Sequence, residues 1–148
     1  MSHAENKVEW CLRKAEKELK GSDTHRGLVK VKPDNVAAAR HIAKAEHYLK
    51  ATAFLENGFS DISASTSFYA MYHSLLAIAS KFGYESRNQE CTFALMHSLI
   101  EDKNIDFDRE LMGRITTLDP DEAQKKTSVK LREQLVRHWI VYGRRPLQ

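Results

Sequence analysis

Phe68-Tyr69-Ala70-Met71-Tyr72-His73 sets three aromatic rings and a histidine side by side within a helix-like stretch over 60–82. Rings this dense commit the segment to a buried helix, because aromatic side chains bury large areas and dominate cores. They also bring polar tips into the interior. A buried hydroxyl or ring nitrogen without a hydrogen bond costs about 1–3 kcal/mol, so Tyr69, Tyr72 and His73 need a polar neighbourhood. Whether that neighbourhood is only structural or also a site decides most of what the chain can do.

The 148 residues suit one domain over 1–148, long enough to bury a core. Within it, 1–33 reads as an N-terminal helix and connector, 34–143 as the core bundle and 144–148 as a tail. Few glycines and prolines beside 42% apolar residues fit a helical protein and argue against a turn-rich sheet. No apolar run approaches the roughly 20 residues that span a bilayer, and the start Met1-Ser2-His3-Ala4-Glu5 lacks the apolar core of a signal peptide, so the expected location is the cytoplasm, away from the membrane. Cys11 and Cys91 stand far apart and form no Cys-x-x-Cys pair, so two reduced thiols are expected. A net charge of +3, from 23 basic residues interleaved with 20 acidic ones, permits contact with a polyanion without demanding it.

Val8, Leu12, Ala15 and Leu19 recur at steps of four and three, which predicts a helix over 4–20 ended by Gly21. The stretch 24–33, basic and rich in β-branched residues, reads as an extended connector lying across the surface. Asp34 is the predicted N-cap of a helix running to about Asn57, with Ile42, Ala45, Leu49, Thr52 and Leu55 as its apolar seam. The short link around Gly58 forces that helix into an antiparallel hairpin with the 60–82 helix, which stops at Gly83. A loop over 84–88 and a helix over 89–102 follow. Two more helices are read beyond it, the last opened by Asp119, Pro120 and Glu122 as a capping box with proline at its permitted first position. The expected fold is all-α: an up-and-down helical bundle of five to six helices with a central antiparallel helical hairpin.

Neither a P-loop nor Gly-x-Gly-x-x-Gly occurs, which excludes the usual nucleotide cradles. His41 and His47, six residues apart, lie about 120° apart around a helix, so no metal and no cofactor is expected. His73 has two readings: a partly buried imidazole bonded to a neighbouring helix, or a ligand-facing general acid/base. Arg132 and His138 also have two. They belong to a solvated charged face, or the guanidinium stabilises a phosphorane-like charge while the imidazole moves a proton, as cleavage of RNA through its 2′-hydroxyl requires. Arg87-Asn88 could touch phosphate, or Asn88 could cap the next helix with Arg87 in solvent.

The run Phe68 to His73, together with Ala43-Lys44-Ala45-Glu46-His47-Tyr48-Leu49, resembles the HEPN domain family (higher eukaryotes and prokaryotes nucleotide-binding), in particular its small prokaryotic and archaeal stand-alone members. The resemblance covers the hairpin from Asp34 to about Tyr84 and extends more loosely to the end of the chain. It implies a helical bundle, commonly a homodimer, and two kinds of activity. One is a nucleotide- or RNA-binding module that partners a minimal nucleotidyltransferase in a toxin-antitoxin-like pair, with Tyr69, Tyr72, His73, Arg26 and Arg87 as candidate contacts. The other is a metal-independent endoribonuclease using Arg132 and His138, where Glu133 replaces the asparagine that often follows the family's arginine. Thr66 stands where relatives often carry arginine. A third reading is a non-catalytic structural dimerisation protein.

Overall fold

The computed structural model describes residues 2–105, 137, 140 and 141. Among them the order is α1 (His3–Leu19), β1 (Leu28–Lys30), α2 (Asn35–Leu55), α3 (Ser60–Lys81), β2 (Tyr84–Ser86) and α4 (Gln89–Glu101). The described chain is mostly helical, as the periodicity predicts, and the helix ends fall where the capping chemistry puts them. Ser2 and Glu5 form a reciprocal capping box on α1. The Asp34 carboxylate accepts from the Ala37 N–H, and the Asn88 side chain accepts from the Cys91 N–H. Gly58 and Gly83 take φ of +92° and +81° at the ends of α2 and α3, in the left-handed region that stops a helix.

The hairpin of α2 and α3 forms as the short link requires. Ala38, Ile42, Ala45, Leu49 and Thr52 bury one stripe of α2 against α3. Helix α3 is buried on more than one side: Phe68, Met71, Leu75 and Ile78 join Leu95, Met96 and Leu99 of α4 in one core, to which Ile140 also belongs. Asp34 N–H donates to the Ser80 carbonyl at 3.0 Å and closes the hairpin's open end.

Two expectations need correction. The connector over 24–33 and the loop over 84–88 are not irregular surface chain: β1 and β2 pair antiparallel, Leu28 opposite Ser86 and Lys30 opposite Tyr84. Leu28 has no exposed surface, and His25 is buried beside it. A strand of three residues is too short to show alternation, and its partner lies more than fifty residues away, so only tertiary pairing reveals it. Cys11 and Cys91 are not reduced thiols either. They form a disulfide between α1 and the first turn of α4, with Cα atoms 5.9 Å apart across 80 residues of sequence. The spacing rules that find disulfides in small domains carry no information about a bridge this long. The proposed helices beyond Ile105, with Arg132 and His138, lie outside the described residues.

No helix among the described residues is long and apolar enough to cross a membrane.

Candidate functional site

The antiparallel register places Tyr48 of α2 opposite Tyr69 of α3, and His41 of α2 opposite His73 of α3. The four rings form a ladder along one side of the hairpin. Tyr69 and Tyr48 are stacked with centroids 5.5 Å apart and Tyr48 and His73 at 5.6 Å, while His73 and His41 lie 5.5 Å apart with their rings tilted by 30°. Below the tyrosines, the hydroxyls of Thr52 and Thr66 meet at 2.8 Å. Tyr69 is exposed at the end of the ladder and the other three rings are half-buried. The Lys44 ammonium lies 5.5 Å from the Tyr48 ring centre, close enough for cation–π attraction, and Arg40 lies on the same helix beside His41.

His41 and His73 present Nδ1 to Nδ1 at 3.2 Å. Their ring centres are as far apart as that contact allows, so the rings meet end-on and the two nitrogens point along the line between them. This is the geometry of a hydrogen bond in which one Nδ1–H donates and the other accepts. A chelated ion needs lone pairs that converge to one side. Among the described residues no group of three or more histidine, cysteine or carboxylate side chains gathers as a metal set.

Burial holds both imidazoles neutral. His73 is pushed down to about 4, by burial first, then by repulsion from His41 once that ring takes up a proton, and by the Lys44 ammonium. His41 is lowered by burial and by Arg40. The consequence for stability has a definite sign, since the folded value of His73 lies below the ordinary 6.5. The unfolded chain therefore binds the extra proton first, and stability present above pH 6.5 is lost as pH falls toward about 4. Full conversion of the shift would give about 3 kcal/mol; screening of the half-buried ring by water reduces this to about 1–2 kcal/mol. Urea denaturation at pH 7 and pH 4.5 should show wild type losing that much more than His73→Gln; equal losses would remove His73 from the account.

The other residues singled out by sequence divide between two places. Tyr72 turns inward, with its ring stacked on Phe68 at 6.2 Å and its hydroxyl 3.2 Å from Thr92 Oγ1. Thr92 in turn donates to the Asn88 carbonyl and meets the Ser86 hydroxyl at 2.6 Å. The Tyr72 hydroxyl is thus satisfied by α4, and burial raises its pKa.

Arg26 and Arg87 sit at the ribbon. The Arg87 N–H donates to the Gly27 carbonyl, and its Nε–H donates to Glu85 at 3.1 Å. Glu85 also accepts from His25 Nε2–H at 2.9 Å, while His25 Nδ1 accepts from the Gly27 N–H, so the ring is held at both nitrogens. Arg26 is held through its backbone, its N–H donating to Glu18 and its carbonyl accepting from Asn88; the first of these bonds lowers the Glu18 pKa. Glu85 and His41 line a common cavity of about 430 Å³ together with Lys32, Asp34 and Ser80. The ladder therefore opens at its histidine end toward the ribbon.

Sequence reasoning found Tyr69 and His73 but placed neither His41 nor Tyr48 beside them. The signal was present: His41 and Tyr48 are two turns apart on one face, and a short-looped antiparallel partner brings that face against Tyr69 and His73. Comparison with family models, curated proteins and solved structures gives no match for the chain.

Proposed function

We propose that the protein is a nucleotide- or RNA-binding module of the HEPN type, with the Tyr69–Tyr48–His73–His41 ladder as its base-stacking platform. The observation that carries this reading is the ladder itself: neighbouring rings on one face, exposed at the Tyr69 end, with Lys44 and Arg40 beside it. Unpaired bases stack on aromatic rings while cations track the phosphates, and the stacking tolerates any base because every base has a π-face. Neutral imidazoles add hydrogen-bonding edges without repelling the flanking lysine and arginine. The finer features belong to the same proposal: a bundle of five to six helices, a homodimer, a cytoplasmic location and a minimal nucleotidyltransferase as partner.

Fluorescence anisotropy with a labelled eight-nucleotide RNA, and competition by mononucleotides, tests it. Tyr69→Ala should weaken binding about 5- to 150-fold, the equivalent of one lost stacking contact. Tyr48→Ala should do the same, and Tyr72→Phe should leave affinity unchanged. Affinity should fall with added salt in proportion to the phosphates neutralised. If neither RNA nor mononucleotides bind the wild type, the reading fails and the ladder is hairpin packing.

A further inference from the structure

Helix α1 leaves two of its three largest apolar side chains, Trp10 and Leu19, exposed, while Leu12 packs against the core. The fully buried face laid against α4 and β1 consists of Ala4, Val8, Cys11 and Ala15, with Leu12 half-buried at its edge. Small side chains bury little apolar area, and apolar area is the main attraction between packed helices. Among the described residues the polar fastenings of α1 to the rest of the fold are slight. Lys7 pairs with the exposed Glu90 at 3.4 Å, and Glu18 accepts the Arg26 N–H; surface contacts of this kind contribute little. His3, Ala4 and Lys7 stand across a cavity of about 850 Å³ from Phe68, Phe93 and Ala94. Against these weak attachments stands the covalent link from Cys11 to Cys91, two residues with no exposed surface.

We propose that the Cys11–Cys91 disulfide is a redox latch: a dithiol reductant frees α1 from α4 and uncovers the wall of the cavity formed by Phe68 and Phe93. In the opening step a thiolate of the dithiol attacks one cystine sulfur and displaces the other as thiolate. The reductant's second thiol then resolves the mixed disulfide. Two electrons and two protons pass to Cys11 and Cys91, which become thiols, and the dithiol leaves as a cyclic disulfide. Because neither sulfur is exposed, the reductant reaches only molecules in which α1 and α4 have parted locally. Disulfides persist in oxidising compartments and open in reducing ones, so the position of α1 follows the redox poise around the protein. The latch stands independently of nucleotide binding.

Hydrogen–deuterium exchange on the full chain tests it, comparing the disulfide-bonded protein, the same protein in excess dithiothreitol, and the double variant Cys11→Ser with Cys91→Ser. Opening the bond should speed exchange of α1 amides about 30- to 1,000-fold. Amides of α2 and α3 should remain at least about tenfold better protected than those of α1, and reoxidation should restore α1. Two results overturn the proposal. If α1 keeps its protection, its packing suffices without the bond; if α1 and the hairpin lose protection by the same factor, the disulfide is a global cross-link and not a latch.

Discussion

Leu75→Ala should destabilise the protein by about 2–5 kcal/mol, the range for removing a large aliphatic side chain from a core that cannot collapse around the space. Leu75 has no exposed surface and lies in the core cluster with Met71, Ile78, Leu95 and Met96. It sits on α3, which packs against α2 on one side and against α4 and β2 on others. With neighbours on several sides, relaxation from any one of them is limited. For a chain of this size the melting temperature should fall by roughly 5–20 °C. Val36→Ala, at a side chain 69% exposed on α2, should change stability by less than about 0.5 kcal/mol. Thermal and urea unfolding of both variants decides the matter. A Leu75→Ala cost under about 1 kcal/mol would mean that α3 is not the centre of the core.

Gly27→Ala should be about as damaging although it adds only one methyl group. A Cβ at this position would lie 2.3 Å from the Cys11 carbonyl oxygen and 3.1 Å from the Ala15 nitrogen. Both are backbone atoms of α1, so no side-chain rotation relieves the clash, and either α1 or the ribbon has to move. Overpacking commonly costs about 1–3 kcal/mol, and a clash with helix backbone belongs at or above the top of that range. Gly21→Ala is the internal control, because a Cβ there meets nothing within 4 Å. It should be neutral within about 0.5 kcal/mol. Equal costs at the two positions would show that α1 and the entry to β1 are not in close contact.

The close approach at Gly27 also explains the composition of α1's inner face. Cys11 and Ala15 are small because the ribbon crosses them almost backbone to backbone, and His25 and Leu28 on either side of Gly27 are buried as a result. The same crowding leaves α1 little apolar area with which to hold on, and the disulfide sits at that crossing.

How much of this was legible beforehand depended on the range of the interaction. Helix positions, the Asp34 and Asn88 caps, the stops at Gly58 and Gly83 and the antiparallel hairpin all follow from residues within a few turns of one another, and sequence displays such relations directly. Tyr69 and His73 were recognisable as residues with polar tips to satisfy. Their partners were not named, although the hairpin's register could have supplied Tyr48 and His41. Tyr72 had the same signature as Tyr69, yet three residues at about 100° each turn its direction about 60° around α3 from that of Tyr69. One ring therefore reaches the ladder while the other reaches Thr92.

Local order is written in neighbouring residues: where helices start and stop, which stripe of α2 is apolar, and that the densest aromatic run is central. These are set by short-range sterics, capping hydrogen bonds and periodic burial. Tertiary structure alone decided that β1 meets β2, that Cys11 meets Cys91 and that His41 faces His73 end-on. Each of those contacts joins residues more than thirty positions apart, and its distance and angle are fixed by how whole helices pack, which no local pattern of residues encodes.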